Sequence, residues 1–407
     1  MSELKSFWKL DPGLDVPLDE CDKAIENFLF ERYRDKSDSR VVKIYYLLKP
    51  LIARRLQVLL RRKRTKSVRS SFPRWPIEEK LEHLKRETLK SSMRTNDKAP
   101  FIWFWPHGKT FAFVITHDVE TQKGLGNIQR ICEIEKKYGF KSSWNFVPER
   151  YPVDIRLLER IVKGAFEVGI HGLKHDGKLF NSKKIFDERM KKIKKYGVKW
   201  SAVGFRSPAT HRNPDWMKSI PFEYDSSFPD TDPYEPQPGG CLSIFPFFMG
   251  NLVELPITLA QDHTLFEILG YKDISIWKQK IDWIEKMNGM ALVIVHPDYI
   301  RPGGGRGKES GYPIEYYEEL LQYVKNKDRC WHALPREVAQ WWRGREASEI
   351  TPNGNREARI RGTAFKDGVV ARITLVDDQV TFELDVQKQV EQKCLSGGKQ
   401  WECHSSI

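Results

Sequence analysis

From residue 110 to residue 327 the sequence alternates short apolar runs with longer amphipathic ones. No other feature limits so strongly what the chain can fold into. "TFAFVITHDVE" (110–120) is an apolar strand ending in polar residues, and "NIQRICEIEKKYG" (127–139) is a helix stopped by Gly139. "FKSSWNFVPE" is the next strand, "IRLLERIVKGA" the next helix, "FEVGIHG" a strand and "SKKIFDERMKKIKKYG" a helix. "SAVGFRSPAT", "NLVELPIT" and "MALVIVHPDY" supply further strands, and "SIWKQKIDWIEKMNG" and "PIEYYEELLQYVKNK" further helices. Such alternation over about 240 residues is the signature of parallel β/α units, in a barrel or a doubly wound sheet.

In both architectures functional groups gather at the carboxyl ends of strands. Asp118 and Glu120 follow one predicted strand, His171 another, Arg206 another and His296 another. The stretch "GIHGLKHD" (170–177) places His171 and His175 four residues apart. Residues so spaced can point to one side of a turn, and neutral imidazole is a good ligand for zinc and its neighbours. A usable centre still needs a carboxylate and an open position. Asp118 and Glu120 are the available acids.

The flanks differ in character. Between Val41 and Pro76 there are eleven Lys or Arg and no Asp or Glu. Within it, "LQVLLRRKR" interleaves leucines with arginines as a basic amphipathic helix does. Such a helix either lies on an anionic membrane surface or packs along the main domain with its arginines in water. The chain carries a formal charge of +13, but no nucleic-acid recognition motif accompanies it. "SEITPNGNREARIRG" is polar and turn-rich, "GVVARITLVDDQVTFELDV" reads as a hairpin around Asp377-Asp378, and the last twenty residues read as disordered. The expected organisation is a basic helical extension over 1–100, a catalytic (β/α) barrel over 101–345, and a hairpin with a tail over 346–407.

Several classes are set aside. The six cysteines are scattered without a C-x-x-C pair, which supports neither a disulfide framework nor a cysteine-rich zinc site. The first residues lack the apolar core of a signal peptide, and no apolar run is long enough to span a bilayer. The expected location is cytoplasmic, with peripheral membrane contact through residues 41–76. "PGGGRGKES" (302–310) imitates a phosphate-binding loop, but Pro302 replaces its first glycine and Glu309 its Ser/Thr. It reads as a mobile basic loop near His296.

Five runs occur in order: "ITHDVE", "HGLKHD", "GFRSPAT", "YDSSFPD" and "LVIVHPDY". In this order and spacing the chain resembles the polysaccharide deacetylases (NodB-like, carbohydrate esterase family 4) over roughly residues 110–345. The resemblance implies an α/β fold, a distorted (β/α) barrel of the NodB type, and metal-dependent removal of acetyl groups from sugars. It implies His171 and His175 as metal ligands with Glu120 as the third, and Asp118 as the base. The family's usual pair of adjacent acids is replaced by Asp118-Val119-Glu120. Asp118 is therefore the alternative ligand, with His117 near the base position. Arg206 would orient the base, and His296 would protonate the leaving amine, tuned by Asp225 or, as a rival, by Asp298. Pro208, Ala209 and Asp298 would line the substrate site, although Ala209 stands where the family carries an aromatic residue. The cofactor expected is one divalent ion, zinc first, with cobalt, nickel or iron as competitors.

Three functions follow. The first is deacetylation of an acetylated carbohydrate, as an intracellular precursor of a surface polysaccharide. The second is a non-sugar amidase on the same scaffold. The third is a glycan-binding protein with a degenerate site. His83, His107, His211, His263 and His332 read as structural. The run ending in "LAQDHTLF" either lines the substrate groove or packs in the core.

Overall fold

The computed structural model describes residues 3–11, 21–34, 54–66, 68, 72–93, 98–301, 311–353, 357–376 and 379–384. The basic loop 302–310, the Asp377-Asp378 turn, the tail from 385 and much of the basic stretch, 35–53, lie outside them. The contacts of the chain divide into two units.

The larger unit, residues 21–85 and 109–343, holds the nine-stranded sheet. Its strands are β1 (Phe111–Val119), β2 (Ser143–Phe146), β3 (Glu167–His171), β4 (Gly204–Arg206), β5 (Tyr224–Asp225), β6 (Phe247–Met249), β7 (Leu252–Glu254), β8 (Met290–Val295) and β9 (Cys330–His332). All neighbours are parallel except β6 and β7. β8 runs along residues 112–117 of β1 on one edge, so β9 and β2 divide the other edge between them. The sheet continues through β3, β4, β5 and β7. It then returns to its start without a regular strand pair. The amides of Thr258 and Leu259 donate to the Leu292 carbonyl on β8, and Ile257 bridges Pro229 after β5. Eight parallel strands, with β9 sharing an edge of β1 with β2, are closed by this irregular seam into a distorted (β/α) barrel, one of the two architectures the alternation allows and the one the resemblance implies.

Local chemistry explains the elements. β1 is buried along its whole length, as a parallel strand covered on both faces must be. The helix Gln122–Tyr138 begins where the Thr121 side chain accepts from the Lys123 amide and ends at Gly139 in the left-handed region, φ 85°. Asp154 and Ser182 cap Ile155–Lys163 and Lys183–Trp200 in the same way. The helix Arg54–Lys66 lies against the π-helical turn His263–Leu269. The helix thus packs along the main domain, but with Arg61 and Arg62 turned to Glu235 and the Glu267 carbonyl rather than to water.

The smaller unit contains residues 1–20, 86–108 and 344–407. Strand Lys98–Ile102 pairs antiparallel with Val370–Val376, which pairs with Gln379–Leu384. The expected hairpin is present, but it recruits a strand from before the barrel, so the two flanks share one unit rather than forming separate extensions. The polar stretch after 346 also forms a hairpin, Glu349–Asn353 with Glu357–Arg361, which sequence polarity hid. The buried Arg345 guanidinium ties this unit together by donating to the Phe7 and Ile102 carbonyls, each at 2.8 Å. The described Cys132, Cys241 and Cys330 are free thiols. Among the described residues no helix is long and apolar enough to cross a membrane.

Candidate metal centre

Side chains alternate along a strand, so residues two apart share a face. On β1 this sends Thr116 and Asp118 to one side, and Glu120 follows them just past the strand end. His117 goes to the other side, among the outer helices. There its Nε2 lies 2.6 Å from Glu135 Oε1, its Nδ1 3.1 Å from the Val295 carbonyl, and its ring stacks on Trp144 at 4.1 Å. The alternative that used His117 as a base is therefore excluded by the pleat.

At the carboxyl end of the barrel, donor atoms of Glu120, His171 and His175 lie within 4.8 Å of one another. His171 closes β3, and its Nδ1 faces the Arg206 carbonyl at 3.3 Å. That contact makes Nδ1 the protonated nitrogen and leaves the Nε2 lone pair for the cluster. Burial lowers the His171 pKa to about 4, so the ring is neutral, as a ligand must be. His175 follows a tight loop. It has φ 54°, and Gly172 before it has φ 62° with Pro208 so close that a Cβ would stand 2.5 Å from the Pro208 ring. Pro208 thus shapes the histidine loop from below.

His175 Nε2 lies 2.9 Å from Glu120 Oε1, yet this shielded atom has no hydrogen-bond partner of proper geometry. With the donor atom of His171, these atoms all lie within 4.8 Å of one another, close enough to share one ion. Burial pushes the Glu120 pKa up, but the neighbouring His175 overrides this and holds it well below the usual range. Its second oxygen, Oε2, accepts from Tyr299 Oη at 3.2 Å. Two imidazoles and a carboxylate with an orphaned buried nitrogen fit a divalent ion.

Asp118 sits beside this cluster. Its Oδ1 accepts from Asn145 Nδ2 at 2.9 Å and from Arg206 Nη1 at 3.2 Å. Its Oδ2 lies 3.9 Å from His171 Nε2. Burial would raise its pKa, but the Arg206 guanidinium, then His171 and His296, bring it down to about 2. Gly169 makes room for Asn145, since a Cβ there would meet Asn145 Oδ1 at 2.0 Å. Arg206 is buried and also grips Thr116 Oγ1 and the carbonyl and hydroxyl of Ser226.

His296 follows β8, with Nε2 3.9 Å from Glu120 Oε1. Its Nδ1 is bound by Asp262 Oδ1 at 2.6 Å, and its amide donates to Asp262 Oδ2 at 2.7 Å. Burial alone would lower its pKa, but Asp262 raises it to about 10.

Asp262, not Asp225, is therefore the partner of His296. Asp225 ends β5 and accepts from Ser227 Oγ at 2.7 Å; burial raises its pKa, and Glu254 is its carboxyl neighbour. Asp298, the rival, is also engaged elsewhere. Its oxygens accept from the Glu120 amide and the Thr121 hydroxyl, which ties down the start of a helix rather than facing substrate. Ala209 is in the left-handed region at φ 54°, on the loop after Arg206. His263, read as structural, lies at the rim with its ring 4.6 Å from Tyr299. Asn145, Asp262 and Tyr299 were missed. "LAQDHTLF" held the signal for Asp262, an acid beside a histidine after an apolar strand. Nothing in the sequence links it to His296.

No family model and no curated protein matches the sequence. Solved structures do resemble it. A protein from Mycobacterium smegmatis described as a polysaccharide deacetylase is 17% identical; the match covers 63% of this chain and 98% of that one, with a TM-score of 0.48. Puue allantoinase is 13% identical over 67% and 98% of the two chains, TM-score 0.45. A Pseudomonas aeruginosa PAO1 protein described as a polysaccharide deacetylase is 15% identical over 59% and 93%, TM-score 0.43. These likenesses concern the course of the backbone and carry no argument about the reaction.

Proposed function

We propose that the chain is a metal-dependent hydrolase that removes an N-acetyl or O-acetyl group from a carbohydrate. The single observation that carries this reading is the convergence of Glu120, His171 and His175 from two strand ends, flanked by an acid and a histidine whose proton affinities are pushed far apart. Such opposed pairs mark base and acid. A bound divalent ion, zinc first and cobalt, nickel or iron next, would supply Lewis acidity and lower the pKa of water.

The chain's own residues divide the remaining work. Asp118 is ionised at every working pH and presents Oδ2 towards the cluster, where it can take the proton of attacking water. Arg206 and Asn145 fix its other oxygen. His296 is protonated at neutral pH and held by Asp262, so it can deliver a proton to the departing amine as the C–N bond breaks. An intracellular, lipid- or nucleotide-linked precursor of a surface polysaccharide belongs to the same proposal. So does peripheral contact with an anionic membrane through helix Arg54–Lys66, on which Leu56, Leu59 and Leu60 stand exposed.

One observation favours a second reading, a small non-sugar amide as substrate. The cavity beside His175 is lined by Leu173, Lys174, Ser207, Pro208, His211 and their neighbours, with no Phe, Tyr or Trp among its described lining residues. A sugar would find no broad Trp, Tyr or Phe face there.

The test is a substrate screen with and without chelation. Acetate release from N-acetylated oligosaccharides that disappears on metal removal and returns with zinc supports the first reading. Turnover of cyclic amides alone supports the second. Sugar binding without turnover points to a degenerate site, and hydrolysis that persists after chelation refutes the metal centre.

A further inference from the structure

The basic helix Arg54–Lys66 touches the barrel beside the candidate metal centre, and the contacts are specific. Arg62 donates from Nε and Nη2 to the Glu267 carbonyl at 2.9 and 2.7 Å. Arg61 Nη2 pairs with Glu235 at 3.1 Å, and the same carboxylate accepts from Thr264 Oγ1 at 2.7 Å. Arg61 Nη1 lies 3.4 Å from His263 Nδ1. An arginine can only donate, so in this contact His263 Nδ1 is the acceptor.

The His263 ring packs on Tyr299 at 4.6 Å between centroids. Tyr299 Oη holds Glu120 Oε2, so it is Oε1 that Glu120 turns towards His175. A partner that holds the outer oxygen of a ligating carboxylate sets which oxygen faces the ion.

From this chain of contacts we infer that Arg61 is a positioning residue of the metal centre, acting through His263 and Tyr299 on the orientation of Glu120. The arm is then part of the site rather than an appendage. Its arginines act by direction as well as by charge, because Arg61 points at one ring nitrogen and one carboxylate. The inference rests on the metal-binding reading above.

The experiment measures zinc affinity of the full chain by chelator competition, on samples whose folded state is checked by circular dichroism. Tyr299→Phe removes the hydroxyl and should weaken zinc about tenfold, in the range that outer partners of ligands command. Arg61→Met should weaken it by about threefold or more in the same direction. His263→Phe keeps a ring on Tyr299 but removes the nitrogen facing Arg61, and should follow Arg61→Met; it also serves if Arg61→Met does not fold. Exposed Arg64→Met is the charge control and should leave affinity unchanged. In the double variant Tyr299→Phe/Arg61→Met the losses should not add, since both act by one route. Arg61→Met and His263→Phe that match the Arg64→Met control, or losses that add in full, overturn the inference. A wild-type chain that binds no zinc instead refutes the metal centre itself, so the two failures are distinct.

Discussion

Two histidine–carboxylate clusters stand on opposite faces of the same strand, and they have opposite character. On the outer face His117 meets Glu135, which also accepts from Ser142 and Tyr317; both His117 nitrogens have partners. On the inner face His175 keeps an orphaned nitrogen beside Glu120, and Asp118 keeps one oxygen turned to the cluster. Composition does not separate them, because each pairs imidazole with a buried acid. Satisfaction does. A closed network is at rest and rigidifies the barrel, whereas unspent ligand atoms mark a place built for something else to complete.

The sharpest way to break this contrast is His171→Ala. It should abolish hydrolysis and weaken zinc by more than about 100-fold, beyond what any outer partner costs. Retained metal and activity would end the comparison. Within the inner face, Asp118→Asn and Asp262→Asn should each lower kcat by about 10²–10⁴, with zinc retained. Asp225→Asn should cost less than about tenfold, since it lies off the proton path. A larger loss from Asp225→Asn than from Asp262→Asn would reverse the assignment of the His296 partner.

The contrast extends to the amino-terminal end of β3, where Glu167 bonds Tyr224 and has its pKa raised to about 7 by burial. The folded chain keeps this proton between pH 4.5 and 7 while the unfolded chain releases it. Glu167 therefore removes stability as pH rises through that window, by about 3 kcal/mol at most. Glu167→Gln should flatten the pH dependence of urea unfolding there; an unchanged slope counts against it. The smallest effect is expected on the closed face. Glu135→Gln puts an amide donor among donors and should cost about 2 kcal/mol of stability, with zinc affinity and kcat unchanged. A tenfold change in zinc affinity would show that the two faces are coupled.

Much of the barrel was legible because its signals are local. Hydrophobic runs and the Gly139 stop act within a few residues, whereas the Thr121 cap that starts this helix at Gln122 rather than at 127 went unread. The short strands Tyr224–Asp225, Phe247–Met249 and Cys330–His332 were not, because two or three residues carry no period. They are strands only because neighbours supply their hydrogen bonds. The candidate ligands were legible for a similar local reason. Positions 118 and 120 share a face on any strand, and positions 171 and 175 lie within one loop.

The sequence by itself determined the alternating elements, the inward face of β1 and the residues at strand ends. Only the tertiary structure decided which of these meet. Asp262 reaches His296 across 34 positions because the seam at 257–259 closes the ring beside β8. Arg61 reaches His263 across 202 positions because the arm packs on the π-turn. Backbone propensity acts over a few residues, whereas contacts between distant groups exist only after hydrophobic burial has brought the segments together.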